Sequence, residues 1–216
     1  MKRRLSYRLV LFDMDGTLLN GRSIFYFAEE FGFKQKLISI FNSTIEPYKK
    51  SIEIAQYLRG TDSRSMLEIF QKIPLQKGIQ KILTILNNKK IITAIATDSY
   101  SFLADKLRER LKMHAAFANT LIIKNHIVTG DVILHNSKLE RCNNGRIYSI
   151  CKGQILRQLC KENHVSLEQS IAIGDGFVDI SMLQKAGLGI AYKAREEVQQ
   201  HADLCTDDIS LLLQYL

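Results

Sequence analysis

Along the chain, short apolar runs alternate with longer segments in which apolar residues recur every three or four positions. Residues 8–12, Arg-Leu-Val-Leu-Phe, are too few for a helix and apolar at consecutive positions. That is the pattern of a parallel strand buried on both faces. Ile91-Ile92-Thr93-Ala94-Ile95-Ala96, Ser170-Ile171-Ala172-Ile173 and Leu188-Gly189-Ile190-Ala191 have the same character, and each ends near polar or glycine residues. Between them, helical spacing appears at Ile79, Ile82, Leu83 and Leu86, at Leu103, Leu107 and Leu111, and at Ile155, Leu156 and Leu159. Strands alternating with helices predict an α/β fold, a doubly wound, Rossmann-like parallel sheet covered on both faces.

Residues 20–75 interrupt that alternation. They carry helical patterns at Ile24 to Phe31, Lys49 to Tyr57 and Ser65 to Phe70 with no convincing strand, and the only two prolines, Pro47 and Pro74, punctuate them. The expectation is a helical cap inserted after the first strand, which divides the chain into a core of residues 1–19 and 75–216 and a cap of residues 20–74. A second irregularity, residues 121–134, predicts a small β-hairpin turning near Asn125-His126. Residues 135–149 form a polar loop of unassigned path, and the segment from Ile133 to Ile150 has no function readable from its residues.

Bulk properties narrow the partners. At 216 residues, 46% hydrophobic and 24% charged, the chain is long enough and apolar enough to bury a core and is not a disordered sequence. A formal charge of +8 and a pI near 9.3 favour anionic partners, from phosphorylated metabolites to nucleic acid, and equally suit a solvated basic surface. Apart from Lys2-Arg3-Arg4 the basic residues are dispersed and no nucleic-acid module is present, so nucleic acid is not an expected partner. The N-terminus runs directly into a short strand rather than a signal peptide, and no apolar run nears the roughly 18 residues of a membrane span. The expected location is the cytoplasm, away from the membrane. Cys142, Cys151, Cys160 and Cys205 lack Cys-x-x-Cys spacing, which argues against structural zinc and for reduced thiols, with Cys142 and Cys151 able to pair under oxidation.

In an open parallel sheet, ligands bind beyond the carboxyl ends of the strands. Asp13 and Asp15 end the first predicted strand, Thr97 and Asp98 another, and Gly174-Asp175 a third. Carboxylates at i and i+2 in extended chain point the same way, so Asp13 and Asp15 are expected at a common site. Like charges that close favour a divalent, oxygen-ligated cation such as Mg²⁺, with Asp175 and Asp179 as further carboxylates. The combination suits phosphoryl transfer. An Asp-x-Asp pair alone serves as readily in an acidic turn or a helix cap.

The apolar strand followed by Asp13-Met14-Asp15-Gly16-Thr17, with Gly174-Asp175-Gly176-Phe177-Val178-Asp179 later, resembles the haloacid dehalogenase superfamily, and within it the phosphoserine phosphatase-like branch. The resemblance extends through Ala116-Phe117-Ala118-Asn119, Thr129-Gly130-Asp131-Val132, Cys151-Lys152-Gly153-Gln154-Ile155-Leu156 and Lys185-Ala186-Gly187-Leu188-Gly189-Ile190-Ala191. It implies a Mg²⁺-dependent phosphatase acting on a small phosphorylated metabolite, as a monomer or homodimer. In that scheme Asp13 is the nucleophile that becomes an aspartyl-phosphate and also ligates Mg²⁺. Asp15 is general acid and then base, with its backbone carbonyl on the metal. Thr97 bonds the phosphate, Lys152 neutralises Asp13 and the moving phosphoryl group, Asp175 ligates the metal and Asp179 supports it. Gly16, Thr17, Thr97, Asp98, Lys152 and Arg22 form the phosphate- and substrate-binding set.

Taken singly, Thr97 also suits a strand end, Lys152 a solvated helix start and Asp179 a helix N-terminal charge. The sequence departs from the branch where Arg22 occupies the usual place of a glutamate that meets the substrate amine; a cation there favours a carboxylate, phosphate or sugar hydroxyl. It departs again at Val178, usually Asn, and at Thr97-Asp98-Ser99, usually Ser-Gly-Gly. Two other readings remain at this level: phosphoryl transfer to another acceptor, as in a mutase, and a non-catalytic basic binding module.

Overall fold

The computed structural model describes residues 6–142 and 145–216, so the Lys2-Arg3-Arg4 run, Asn143 and Asn144 lie outside the described residues. Its organising element is β1 (Leu9–Phe12), whose four side chains are fully buried. Because side chains alternate across a strand, Leu9 and Leu11 face one helical layer while Val10 and Phe12 face the other. Leu9 and Leu11 pack with Ile155, Leu156 and Leu159 of α7 (Lys152–Glu162) and with Met182 and Leu183 of α8 (Ile180–Leu183). Val10 and Phe12 share a cluster with Ile79, Ile82, Leu83 and Leu86 of α5 (Ile79–Asn88) and with Leu103, Leu107 and Leu111 of α6 (Ser101–Leu111). Burying each such side chain stabilises the fold by roughly 2 kcal/mol.

The described residues form a seven-stranded sheet of order β4-β3-β2-β1-β5-β6-β7. β1 lies between β2 (Ile92–Tyr100) and β5 (Ser170–Gly174), parallel to both, with Leu9 opposite Ile92 and Ser170. β3 (Ala115–Lys124), β6 (Leu188–Tyr192) and β7 (Leu204–Thr206) extend the parallel sheet outward, and β4 (Ile127–Ile133) is antiparallel to β3. The chain moves to one side of β1 and later to the other, so the carboxyl ends of β1, β2 and β5 border a topological switch point.

This is the doubly wound α/β fold expected from the sequence, with three differences of extent. The hairpin turns at Asn125-His126, whose φ values of 50° and 67° suit a two-residue turn. Its first strand, however, begins at Ala115 and pairs with β2 before it reaches the hairpin, over residues too evenly half-buried to alternate clearly. β7 is only three residues long and was not foreseen. Between Ser23 and Lys72 lie α1 (Ser23–Glu30), α2 (Lys34–Asn42), α3 (Pro47–Tyr57) and α4 (Ser63–Lys72); α2 went unread because only Leu37 and Ile40 of its nine residues are buried.

The buried residues of these four helices, including Phe27, Leu37, Ile54 and Met66, run on into the cluster that contains Val10 and Phe12. Main-chain bonds fasten them to the hairpin: Gly60 N–H donates to Val128 O (2.9 Å), Val128 N–H to Thr61 O (3.0 Å) and Ser63 N–H to His126 O (2.8 Å).

The polar stretch before α7 makes a second fastening. Ile147 accepts from Tyr48 N–H at its carbonyl (3.1 Å) and donates its own N–H to Glu46 Oε2 (3.1 Å). Ser149 Oγ receives hydrogen bonds from Ser51 Oγ (3.1 Å) and from Asn119 Nδ2 (2.9 Å). Asn119, fully buried on β3, also donates to Asp98 O (2.7 Å) and accepts from His135 N–H (3.0 Å). The segment thus joins α3 to the end of β2 through one side-chain amide. Cys142 and Cys151 flank it as buried free thiols packed with Tyr148.

Replacing Asn119 with alanine strands partners in a dry site and is expected to cost about 2–4 kcal/mol by urea unfolding; a loss under about 0.5 kcal/mol would show that the network constrains nothing.

Candidate active site

Beyond β1 the chain delivers Asp13, whose N–H donates to Ile173 O (2.9 Å) and so continues the pairing of β1 with β5. It then reverses at Gly16, which takes φ +90°. A side chain is excluded there twice over: the backbone is left-handed, and an added Cβ would lie 2.8 Å from Asp175 Oδ2. At the end of β5 an added Cβ on Gly174 would lie 2.4 Å from Asp179 Cγ. These two bare positions let the β1 turn and the β5 loop close on the same carboxylates.

Asp179 organises that loop. Its Oδ2 accepts the N–H groups of Asp175 (3.0 Å) and Gly176 (2.8 Å), and its Oδ1 accepts from Lys152 Nζ. Lys152 Nζ also donates to Asp13 Oδ1, bridging two strand ends. Lys152 is wholly buried at the first turn of α7, where Gly153 N–H donates to Ser181 Oγ (3.0 Å) and holds the helix start against α8. The solvated-lysine alternative is therefore excluded. One carboxylate oxygen from each of Asp13, Asp175 and Asp179 lies within 4.8 Å of the others.

The electrostatics follow from burial. Desolvation raises the Asp13 carboxyl well above its usual range, and Lys152 works against that shift. Asp175 is also raised, by burial first and then by the Asp179 charge. Burial alone would lower the Lys152 ammonium, but Asp13 and Asp179 outweigh it and raise its pKa. Three carboxylates thus face two cations, Lys152 and the Arg22 guanidinium, whose Nη2 donates to Asp175 Oδ2 at 3.1 Å. The excess negative charge and the oxygen-only donor set fit a hard divalent cation.

The Asp15 carboxylate is held by Ser23. Its two oxygens accept from Ser23 N–H (2.8 Å) and Ser23 Oγ (2.9 Å), and its carboxylate is not part of the three-carboxylate group. The turn at Gly16 separates it from Asp13 and aims it at the start of α1. Burial pushes its carboxyl up to about 6, against the two Ser23 bonds.

Around these groups, Thr97 is fully buried with Oγ1 accepting from Ser99 N–H (3.1 Å), and Ser99 Oγ lies 3.3 Å from Ser23 Oγ. Asp98 is exposed, and its carbonyl accepts from Asn119 Nδ2. Thr17 Oγ1 is buried with no hydrogen-bond partner among the described residues. Gln76, overlooked in the sequence, donates to Gly16 O (2.9 Å) and accepts from Lys193 Nζ (2.9 Å). Ser23 was overlooked as well. Both are ordinary polar residues in sequence, and only the fold brings Gln76 across 60 positions to the turn.

A sequence model of the haloacid dehalogenase-like hydrolases matches residues 7–187. The chain is similar to phosphoserine phosphatase of Methanocaldococcus jannaschii, 30% identical over 215 residues that span 97% of each chain. It is also similar to that of Campylobacter jejuni subsp. doylei, 28% identical over 93% of this chain and 94% of the other. Among solved structures, a substrate-bound phosphoserine phosphatase complex superimposes with a TM-score of 0.85 at 28% identity, covering 98% of this chain and 99% of that one. A phospho-aspartyl intermediate analogue of phosphoserine phosphatase gives 0.84 at 28% identity, with the same coverage.

Replacing Lys152 with methionine leaves Asp13 and Asp179 buried without their cation and is expected to cost about 3–5 kcal/mol at pH 8. A carboxyl raised by burial contributes stability that is full below its unfolded pKa and falls as pH rises through the folded value. The Lys152→Met loss should accordingly shrink at pH 5, where Asp13 can take up a proton, and adding Asp13→Asn should recover part of it. Urea unfolding at both pH values checks this; equal losses would contradict it.

Proposed function

The chain belongs to the haloacid dehalogenase-like hydrolases, and from that footing we propose that it is a Mg²⁺-dependent phosphatase that hydrolyses a small phosphomonoester through a phosphoaspartate on Asp13. The observation that carries the reading is the buried Lys152 bridge between Asp13 and Asp179, with Asp175 beside it at the ends of β1 and β5. The similarity to phosphoserine phosphatases, one of them described as a phospho-aspartyl intermediate analogue, supports the same chemistry.

Asp13 must be ionised to attack, although its burial opposes ionisation. Lys152 supplies the compensating charge. The Asp13 oxygen bonds to phosphorus as the bond from phosphorus to the ester oxygen breaks, and Asp15 gives its proton to the departing alkoxide. Water then attacks phosphorus and passes a proton to Asp15, the bond from phosphorus to Asp13 breaks, and orthophosphate leaves. A carboxyl held near 6 by burial and oriented by Ser23 can serve in both directions around neutral pH. Thr97, Gly16, Thr17, Lys152 and the Asp98 main chain form the phosphate cradle in this scheme.

Asp13, Asp175 and the Asp15 carbonyl would hold Mg²⁺. Bound there, it would neutralise charge on the phosphate. Asp179, with one oxygen on Lys152 and the other on two main-chain N–H groups, acts as the brace of that group. We take residues 20–74 as the cap that closes over the site and residues 1–19 and 75–216 as the catalytic core.

Release of orthophosphate from p-nitrophenyl phosphate with Mg²⁺ should vanish in Asp13→Asn; retained activity would sink the nucleophile assignment, and phosphate found on an acceptor instead would favour a transferase. Asp15→Asn should slow hydrolysis of an alkyl phosphate by roughly 10²–10⁴ and of p-nitrophenyl phosphate far less, since nitrophenolate leaves without a proton. Mg²⁺ should also raise the Tm of the wild type and not that of Asp175→Asn, a readout independent of turnover.

A further inference from the structure

Arg22 sits where the proposed reaction gives it no work. It is the residue before α1, and its place is fixed by its neighbour Ser23, which grips Asp15 through both its N–H and its hydroxyl. From there the guanidinium reaches the β5 loop, where Nη2 bonds Asp175 Oδ2 at 3.1 Å. That is its one hydrogen-bond partner among the described residues, out of five donors on the fork. The Arg22 side chain is 47% exposed, against 15% for Asp175. Gly176, next in that loop, has no side chain to cover the guanidinium; an added Cβ there would stand 3.9 Å from Nη2.

The charges facing it are Asp175, Asp98, Asp13 and Asp15. A substrate approaching this mouth meets a buried lysine at the reacting end and a half-exposed arginine at the rim. The phosphate belongs to the inner end, beside Asp13 and Lys152. The alcohol part of the ester must then extend outward past Arg22, between the start of α1 and the loop at Gly176.

Resting on the phosphatase reading, we infer that Arg22 determines specificity by binding a carboxylate on the alcohol part of the substrate. The substrate class is a phosphomonoester of a hydroxy acid that carries no ammonium group beside its carboxylate. A planar guanidinium matches a carboxylate in a two-point contact and repels an ammonium in the same space. Arg22 touches the leaving group rather than the phosphorus, so it acts on which ester is held and not on the bond-breaking itself.

Three esters separate the possibilities. 3-Phosphoglycerate and O-phosphoserine share a three-carbon chain, a carboxylate and a phosphate, and differ by hydroxyl against ammonium. p-Nitrophenyl phosphate has no carboxylate. In the wild type, kcat/KM for 3-phosphoglycerate should exceed that for O-phosphoserine by tenfold or more. Arg22→Gln should shrink this ratio mainly through KM, Arg22→Lys should keep its direction, and Arg22→Glu should invert it. If Arg22 only braces Asp175, Arg22→Gln will lower all three esters by one common factor, which overturns the inference. A wild-type ratio near one or favouring O-phosphoserine overturns it as well, as does turnover of p-nitrophenyl phosphate with neither three-carbon ester accepted. Should none of the three esters be hydrolysed, the phosphatase reading fails and this inference falls with it; Asp13-dependent hydrolysis with no discrimination among them refutes the inference alone.

Discussion

Lys152 is an ammonium with no access to water, held between the carboxylates of Asp13 and Asp179. A charge taken that far from solvent is tolerable only when partners surround it, and the partners here come from two different strand ends. The requirement propagates outward. α7 must begin at Lys152, so its first turn is seated on Ser181 of α8; the β5 loop must fold over Asp179, so Gly174 can carry no side chain; and the β1 turn must approach Asp175, so Gly16 takes a left-handed backbone. Each local conformation would be costly in isolation. Together they allow one buried cation and three carboxylates to share a small volume.

The same economy of contacts explains the long polar segment between β4 and α7. Beside a small buried cluster at Cys142, Tyr148 and Cys151, it binds the helices after β1 to the sheet through Ile147, Ser149 and Asn119. Asn119 reaches Asp98 O, and Asp98 adjoins Thr97, so the tie ends beside the proposed phosphate cradle. The segment thus couples α3 to the second strand of the site. Helices α1–α4, held by hydrogen bonds to this segment along one edge and to the hairpin along another, are restrained from swinging freely.

How much of this the sequence could convey depends on distance along the chain. β1, β5, β6 and the helices α5, α6 and α7 were legible because each is a local pattern of period one, two or 3.6, and the carboxylate set was legible because strand ends concentrate ligand groups in this fold. Asp13, Asp175, Asp179 and Lys152 meet as their motifs suggested. What escaped was nonlocal or short. β7 has three residues, too few for a period, and the first half of β3 owes its strand conformation to β2 rather than to its own alternation. Ser23, Gln76 and Ser149 are common polar residues whose partners lie 8, 60 and 98 positions away. Alternation of side chains holds only in extended chain, and Gly16 ends the extension one residue after Asp15.

This division has a chemical counterpart. Residues at the strand ends are fixed by backbone pairing from three directions, so the reacting end of the site has little freedom to vary without loss of the Lys152 bridge. Arg22 stands outside that constraint: it follows the turn, precedes a helix, and among the described residues its guanidinium is anchored by a single bond to Asp175. A residue so placed can change charge at the mouth while Asp13, Lys152 and Asp179 keep their geometry. A chain similar to phosphoserine phosphatases is therefore compatible with a different alcohol in the ester, because the groups that would hold the phosphate and the group that would meet the rest of the substrate are positioned by separate parts of the fold.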